Sequence, residues 1–274
     1  MNVFVMGGSK NIGYFSALRL LDAGSTVTFL LRDPACFDED ERIRKFLSSK
    51  AFLVKGDALV RSDVQKGWEA AEKNGNGKID LLLLTVGGAP SFSFTKGFII
   101  KPANLVTQSF LNALSTMPKA QLDSSAQPKI VVVSAAGVTK DSHAALPFLL
   151  KLLYATMPIP HNDKRGLERL AYYLAGWSWN ERDVNREVLP ADWQKQEDLP
   201  GSGTLKNVMV VRPALLTDGK CVADGGGKEK RPYRVGGDDF GGWTVSRQDV
   251  AHFIVDAVTS RWEEYGNKRV TIAY

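Results

Sequence analysis

An apolar stretch that runs straight into a glycine turn constrains the fold of this chain more than any other feature. Residues 3–13 read Val-Phe-Val-Met-Gly-Gly-Ser-Lys-Asn-Ile-Gly, a strand followed by a turn that opens a helix. Glycine at position 7 can take backbone angles closed to other residues, and backbone N–H groups at a helix N-terminus bind diphosphates. The stretch therefore predicts a dinucleotide-binding turn made of Gly7, Gly8, Ser9, Lys10, Asn11, Ile12 and Gly13.

The end of the second predicted strand indicates which dinucleotide binds. In such folds an acidic residue there bonds the ribose 2′-hydroxyl of NAD, whereas an arginine accommodates the 2′-phosphate of NADP. Arg32 follows the strand, and Lys10 in the glycine turn can reach the same phosphate. We therefore expect NADP(H). Two alternatives remain: Asp33 could bond an NAD ribose, or Lys10 and Arg32 are ordinary solvated charges.

Composition excludes several classes of protein. The 274 residues are 44% apolar, and the net charge of +5 is spread along the chain, so we expect one core and no nucleic-acid partner. Lys151 interrupts an apolar stretch well short of a membrane span, which predicts no membrane partner. Cys36 and Cys221 lack metal-site spacing, so we expect neither disulfide nor metal. The first strand leaves no room for a signal peptide, which predicts a cytoplasmic location.

Strand-like and helix-like segments alternate along the chain. Apolar runs read as strands at 26–31, 51–54, 79–84, 129–133, 207–211 and 268–273. Helices are predicted at 38–47, 62–73, 104–117, 143–154, 162–175 and around 246–254. This alternation predicts an α/β fold, a doubly wound parallel sheet of Rossmann-like type in a single domain over 1–274. A small C-terminal part would cap the substrate.

Residues at the strand ends are expected to line the coenzyme. Asp57, followed by Ala58, ends the third strand and could accept a hydrogen bond from an adenine amino group, or it is an ordinary turn residue. Val86, Gly87 and Gly88 follow the fourth strand, where small residues let a ribose pass close to the backbone. A loop that merely needs glycine would look the same. Further contacts are expected from Pro213 and Leu215 after the sixth strand.

In this order, these features resemble the short-chain dehydrogenase/reductase superfamily. The turn of its common members, Gly-Xaa-Xaa-Xaa-Gly-Xaa-Gly, is matched with Asn11 in place of the middle glycine, and asparagine tolerates left-handed backbone angles. Arg212-Pro213 and the segment 246–251 look more like its atypical NmrA-like and biliverdin/flavin-reductase-like branch.

The resemblance implies a serine after the fifth strand and a Tyr-Xaa-Xaa-Xaa-Lys motif on the next helix. Lys164 fits the lysine, but Pro160 stands where the tyrosine should be, and Tyr154 does not restore the motif. The implied roles are a ribose ligand or general acid for Lys164, acceptor orientation for Ser134, and proton donation for His161. Ser134 is close to the expected serine, although the matching position could instead be Ala135. The alternatives are an exposed helix lysine, a turn former and a helix-cap neighbour.

The polar stretch at 176–205 is long for a connection, which predicts either a substrate lid or a surface insertion with its own small core. Candidates for the substrate wall are Phe92, Phe94, Phe98, Trp177, Trp179 and Trp193. These features predict an oxidoreductase transferring hydride from NADPH to a small apolar carbonyl, enone, quinone or flavin-like acceptor. The alternative is a redox sensor of the NmrA-like type that binds NADP and acts through a protein partner. Assembly into a homo-oligomer is left open.

Overall fold

Parallel strands covered by helices on both faces form the body of the protein. The computed structural model describes residues 1–88, 91–93, 95, 97–123, 125–183, 188–225, 232–237 and 239–274. Its strands are β1 (Asn2–Met6), β2 (Thr26–Leu31), β3 (Ala51–Lys55), β4 (Leu81–Leu84), β5 (Ser91–Ser93), β6 (Gly97–Ile99), β7 (Lys129–Val133), β8 (Val208–Pro213), β9 (Leu215–Thr217), β10 (Arg234–Gly236), β11 (Thr244–Ser246) and β12 (Lys268–Ala273).

The main sheet has the order β10-β12-β8-β7-β4-β1-β2-β3. Neighbouring strands run parallel throughout, except that β10 pairs antiparallel with β12. The strand order reverses direction between β1 and β4, and ligands of such sheets bind at the carboxyl ends of the strands at this point. The predicted doubly wound sheet is therefore confirmed. Strand pairs β9–β11 and β5–β6 lie outside it.

Alternation along the strands explains why both faces are covered. Val3 and Val5 of β1 belong to one buried cluster, whereas Phe4 and Met6 belong to the other. Successive side chains of a strand point to opposite faces, so a run that is apolar throughout is stable only between two layers of helices. Helices α1 and α8 pack together on one face. The other face is covered by α3, α4 and α7. The helices are α1 (Asn11–Asp22), α2 (Glu41–Arg44), α3 (Arg61–Asn74), α4 (Leu105–Ser115), α5 (Lys140–Ala144), α6 (Phe148–Ala155), α7 (Pro158–Ala175), α8 (Arg247–Thr259) and α9 (Trp262–Tyr265).

Several helices differ from their predicted bounds, and three of these differences have a local reason. The helix predicted over 143–154 is two helices, because Pro147 separates α5 from α6. Helix α7 begins at Pro158 rather than at 162, since proline is tolerated in the first turn, where its missing N–H would have no partner within the helix. The helix predicted over 38–47 is reduced to α2, whose N-terminus is capped by Asp40.

The described parts of the segment 176–205, residues 176–183 and 188–205, make contacts with α7. The segment's backbone bonds the end of that helix at both of its own ends, Trp177 N to Tyr172 O and Leu205 N to Leu174 O. Between them it reaches the start of α5, where Asp183 Oδ1 accepts a hydrogen bond from Lys140 N at 2.8 Å. No helix in the described ranges is long and apolar enough to cross a membrane.

Candidate active site

The glycine turn is packed so tightly that two of its glycines have no room for a side chain. Gly7 has φ of 88°, and a Cβ built on it would lie 2.5 Å from Val86 N. A Cβ on Gly13 would lie 2.2 Å from Thr85 Oγ1 and 2.4 Å from Gly7 O. Thr85 Oγ1 donates a hydrogen bond to Gly7 O at 3.0 Å, which fastens the turn to the end of β4. Asn11 has φ of 57°, the left-handed conformation that its residue type allows.

Two exposed cations lie beside this turn. Lys10 precedes α1, and Arg32 follows β2, which pairs with β1 along its whole length. Both side chains are exposed, as are Ser9 and Asn11, whereas Gly8 and Ile12 are buried. Asp33 caps a 3₁₀ turn over Pro34–Phe37, with its Oδ1 accepting from Ala35 N at 3.1 Å. The carboxylate that could have bonded an NAD ribose is therefore engaged in a local turn.

The residues expected along the adenine and ribose lie at the same edge of the sheet. Asp57 is half-buried, and its Oδ1 accepts from Leu59 N at 2.9 Å. This bond to the backbone two residues later is typical of an aspartate in a turn. Ala58 O accepts from Asn112 Nδ2. Gly87 is exposed, with open space where a Cβ would be, whereas Gly88 packs against Ile100.

Lys164 and Ser134 meet at the carboxyl end of β7. Lys164 Nζ donates to Val133 O at 2.5 Å, and Ser134 is the next residue. Burial lowers the pKa of Lys164 to about 8, although Asp163 and Glu168 oppose this shift. Ser134 is buried, and among the residues that the structure describes its Oγ has no hydrogen-bond partner. A buried hydroxyl without a partner loses free energy that a ligand oxygen could restore.

Asp163, the residue before Lys164, fixes the position of α7 relative to α4. Its two carboxylate oxygens accept from Val106 N and Thr107 N, both at 2.8 Å, so that α7 caps the first turn of α4. Because Asp163 is fully buried, the start of α7 cannot shift along the sheet without breaking these bonds.

His161 belongs to a separate cavity of about 350 Å³ beside the end of β7. The cavity is lined by Gly137, Val138, Thr139, Lys140, His143, Tyr154, Ala155, Pro158, His161, Asn162 and Arg165. The rings of His161 and Tyr154 contact edge to face at 4.7 Å. Burial and the neighbouring Arg165 and His143 lower the pKa of His161 to about 4. The imidazole is therefore neutral at pH 7, which weighs against His161 as the proton donor.

The residues after β8 reach the same region. Pro213 O accepts a hydrogen bond from Ala136 N at 2.9 Å. Leu215 packs against a small buried cluster of Ala136, Leu146, Leu150 and Tyr154. Both lie beside the loop that follows Ser134, but neither has a polar side chain to offer.

A buried ion triad anchors the strand next to the site. Arg212, at the end of β8, bonds both carboxylate oxygens of Glu168 on α7, with Nε to Oε1 at 2.9 Å. Its Nη1 also donates to both oxygens of Asp239, at 3.0 and 3.2 Å. The side chains of Arg212 and Glu168 are wholly inaccessible to solvent. Arg212 thus links the end of β8 to α7 and to the loop that contains Asp239.

The tryptophans at 176–205 do not line the wall for which they were candidates. Trp177 and Trp179 both contact the ring of Tyr172 edge to face, and Trp193 contacts Tyr173. These tyrosines lie near the end of α7, away from Lys164, and Trp193 and Trp177 pack into the large buried cluster that covers this face of the sheet. Trp177 also lines a cavity with Asn267 at the amino end of β12, the opposite edge of the sheet.

Of the three phenylalanines suggested for the wall, Phe92 and Phe98 contact each other edge to face at 5.3 Å across β5 and β6. Phe98 N bonds Thr156 O, which holds this hairpin against the junction of α6 and α7. Phe94 lies outside the described residues.

Sequence reasoning missed Thr85 and the cations of the cavity. Thr85 carried no motif, and its role depends on a contact across 78 residues. Arg165 could have been found, because it lies four residues after His161 and therefore on the same helix face. Lys140 and His143 come from a different helix, and only the fold brings them there.

No family model matches the chain. A reductase from Aspergillus terreus, named reductase pytE, is 30% identical over 151 residues, which cover 54% of this chain and 48% of that protein. The chain therefore aligns with about half the length of this curated relative.

Solved structures match almost the whole chain. A short-chain dehydrogenase from Bacillus anthracis has a TM-score of 0.62 at 14% identity, with 99% of this chain and 95% of that one covered. ChuY, an anaerobilin reductase from Escherichia coli O157:H7, gives 0.55 at 16% identity, with 99% and 96% covered. YwfH, an NADPH-dependent reductase involved in bacilysin biosynthesis, gives 0.57 at 13% identity, with 98% and 96% covered. The expected resemblance is confirmed in the fold: this chain has the Rossmann-like architecture of the short-chain dehydrogenases and reductases.

Proposed function

We propose that this chain is an NADPH-dependent reductase of the short-chain dehydrogenase/reductase superfamily, in its atypical branch, acting on a small carbonyl, enone, quinone or flavin-like acceptor. The main support for the proposal is the glycine turn, which is hydrogen-bonded to Thr85 at the point where the strand order of the sheet reverses. The reductase names of the relatives support the same class of reaction and give no support to a redox sensor.

The turn fits a dinucleotide because Gly7 and Gly13 carry no side chains. Side chains at these positions would overlap the backbone or Thr85, so glycine allows the turn to pack closely before the N-terminus of α1. The amides of 7–13 would hold the diphosphate, which also meets the positive end of the helix dipole. Arg32 and Lys10 would hold the 2′-phosphate. NADP is favoured over NAD because Asp33 is engaged in a cap.

The acceptor side is supplied by α7 and the end of β7. NADPH bound at this edge supplies a hydride. Ser134 Oγ would donate a hydrogen bond to the acceptor oxygen, which gives this buried hydroxyl a partner that no other described residue provides. Lys164 Nζ would hold the ribose or deliver the proton that the reduced oxygen needs, since Pro160, at the usual tyrosine position, has no ionisable group.

The test is a pair of dissociation constants. Titration of the protein with NADPH and NADH separately should show tighter binding of NADPH. Arg32→Ala should weaken NADPH binding by about tenfold or more while leaving NADH unchanged, because a charge-assisted bond to phosphate is worth about 1.5–3 kcal/mol. Arg44→Ala, an exposed arginine on α2, is the matched control.

Turnover is then measured with a panel of flavin, quinones, enones and aldehydes. Oxidation of NADPH by any of these classes supports the reductase. Tight NADPH binding without turnover on the whole panel contradicts it, and a preference for NADH contradicts the assignment of Lys10 and Arg32.

A further inference from the structure

The cavity at His161 has a composition that the proposed function does not explain. Its lining includes four nitrogen-bearing side chains: Lys140 and His143 from α5, and His161 and Arg165 from α7. It also includes Tyr154, Ala155, Pro158 and Val138, which offer mainly carbon surface. No carboxylate is among the lining residues that the structure describes. A cavity of this size, lined by a lysine and an arginine together with apolar groups, is suited to an organic anion.

Arg165 is held rigidly at the cavity. Its Nε and Nη2 both donate to Val138 O, at 3.1 and 3.0 Å, and its Nη1 donates to Asn162 Oδ1 at 3.0 Å. These bonds use three of the five N–H groups of a guanidinium. Because the side chain is already ordered, binding an anion there costs little further rotamer entropy.

The surrounding charges leave the cavity positive. His161 is neutral at pH 7, with its pKa lowered by burial and by Arg165 and His143. Two acids near the cavity have partners of their own: Asp183 Oδ1 accepts from Lys140 N, and Asp141 lies 3.5 Å from Arg182. Tyr154, on α6, has its pKa raised by burial and stays uncharged. An anion in the cavity would therefore meet cationic groups, and it would favour the protonated form of His161.

The cavity adjoins the catalytic edge. Its loop, 137–140, begins three residues after Ser134, and Lys164 lies between His161 and Arg165 on α7. We propose that the cavity binds the carboxylate of the acceptor, so that the substrate is an organic acid with an apolar body whose reducible group reaches Ser134 and Lys164. This inference rests on the proposed function for the reducible group, but the carboxylate site can be tested without turnover.

The test uses the histidines as reporters, since the chain has three. Imidazole NMR signals of His143, His161 and His252 are followed during titration with benzoate, with its uncharged analogue benzamide and with inorganic phosphate, in the absence of coenzyme. His252 is the internal control, because its Nδ1 bonds Tyr233 OH at 2.6 Å, outside the cavity lining.

Benzoate is expected to shift His161 and His143 but not His252, to raise the pKa of His161 by about one unit or more, and to bind about tenfold tighter than benzamide. Lys140→Gln should weaken benzoate binding about two- to fivefold without disturbing the fold, because this side chain is exposed. Lys73→Gln, exposed on α3, should have no effect. Arg165→Gln should weaken binding by about tenfold or more.

Equal binding of benzoate and benzamide, or equal shifts at all three histidines, would overturn the carboxylate site. Phosphate binding tighter than benzoate would overturn the apolar-acid assignment. NADPH affinity separates this inference from the proposed function. Benzoate binding without NADPH binding supports the cavity and contradicts the reductase, whereas the reverse result overturns the cavity alone.

Discussion

At the scale of the residue, Lys164 is unlike an ordinary lysine on a helix surface. Its ammonium group is directed to the carbonyl of Val133 at the end of β7, and burial brings its pKa to about 8. A lysine with its usual pKa, near 10.4, would be a poor acid at neutral pH. A value near 8 leaves it protonated at pH 7 yet close to the range in which proton transfer is efficient.

We therefore expect the rate of NADPH oxidation to fall as pH rises through about 8, because the protonated form is lost above the pKa. Lys164→Ala should lower kcat by about a hundredfold and remove this limb of the pH profile. The measurement is kcat against pH for both proteins with one acceptor. A profile of the alanine variant that keeps the same limb would assign it to another group.

The sequence identified some of these residues because their signals are local. Gly7, Gly13 and Asn11 follow from backbone requirements of one turn, and Lys164 follows from its frame relative to Pro160. It could not predict the low pKa of His161, since this depends first on burial of the ring in the fold, and then on Arg165 one turn away and on His143 from a different helix. Whether the named site residues act as proposed stays a prediction until the variants are measured.

At the scale of the element, the tryptophans at 176–205 pack against tyrosines near the end of α7. Trp193 is 4% exposed and contacts Tyr173 of α7 at 4.9 Å between ring centroids. Val188, earlier in the same segment, lies against Gly166. The apolar runs that predict strands are short-range patterns, but the path of this polar segment depends on contacts with α7 and α5, which no periodicity encodes.

Trp193→Ala should lower the free energy of unfolding by about 3–5 kcal/mol, the usual cost of truncating a buried tryptophan, while KM for NADPH stays within about twofold. Urea denaturation and steady-state kinetics measure the two quantities. Trp243→Ala is the control for stability, since this side chain is 51% exposed, and its expected cost is below about 0.5 kcal/mol. A large rise in KM with unchanged stability would restore the lid interpretation.

At the scale of the whole molecule, the Arg212 triad joins the sheet, helix α7 and the loop after β10. Arg212 comes from β8, Glu168 from α7 and Asp239 from the loop after β10. Thr271 of β12, which pairs with Arg212 in the sheet, also donates to Asp239 at 3.4 Å. A buried pair of this kind adds little net stability over apolar residues of the same size, but removing one partner leaves an uncompensated charge.

Arg212→Met should therefore destabilise the protein by about 3–5 kcal/mol, because Glu168 and Asp239 lose their common cation. The double variant Arg212→Met with Glu168→Gln should recover part of this loss, since one of the two charges is removed with its partner. Denaturation midpoints of the single and double variants, compared with Glu168→Gln alone, give the coupling energy. A coupling energy near zero would show that the triad is not a unit.

The contact between Gly13 and Thr85 has a consequence for how related sequences can diverge. Position 13 admits no methyl group while a threonine hydroxyl occupies the space beside it, and that hydroxyl also bonds Gly7 O. The residues at positions 7, 13 and 85 therefore constrain one another, although they lie in two distant parts of the chain. A smaller residue at 85 would not by itself admit alanine at 13, because a Cβ there would also lie 2.4 Å from Gly7 O. Homologues with alanine at 13 should therefore differ both in the residue at 85 and in the backbone path of the turn at 7.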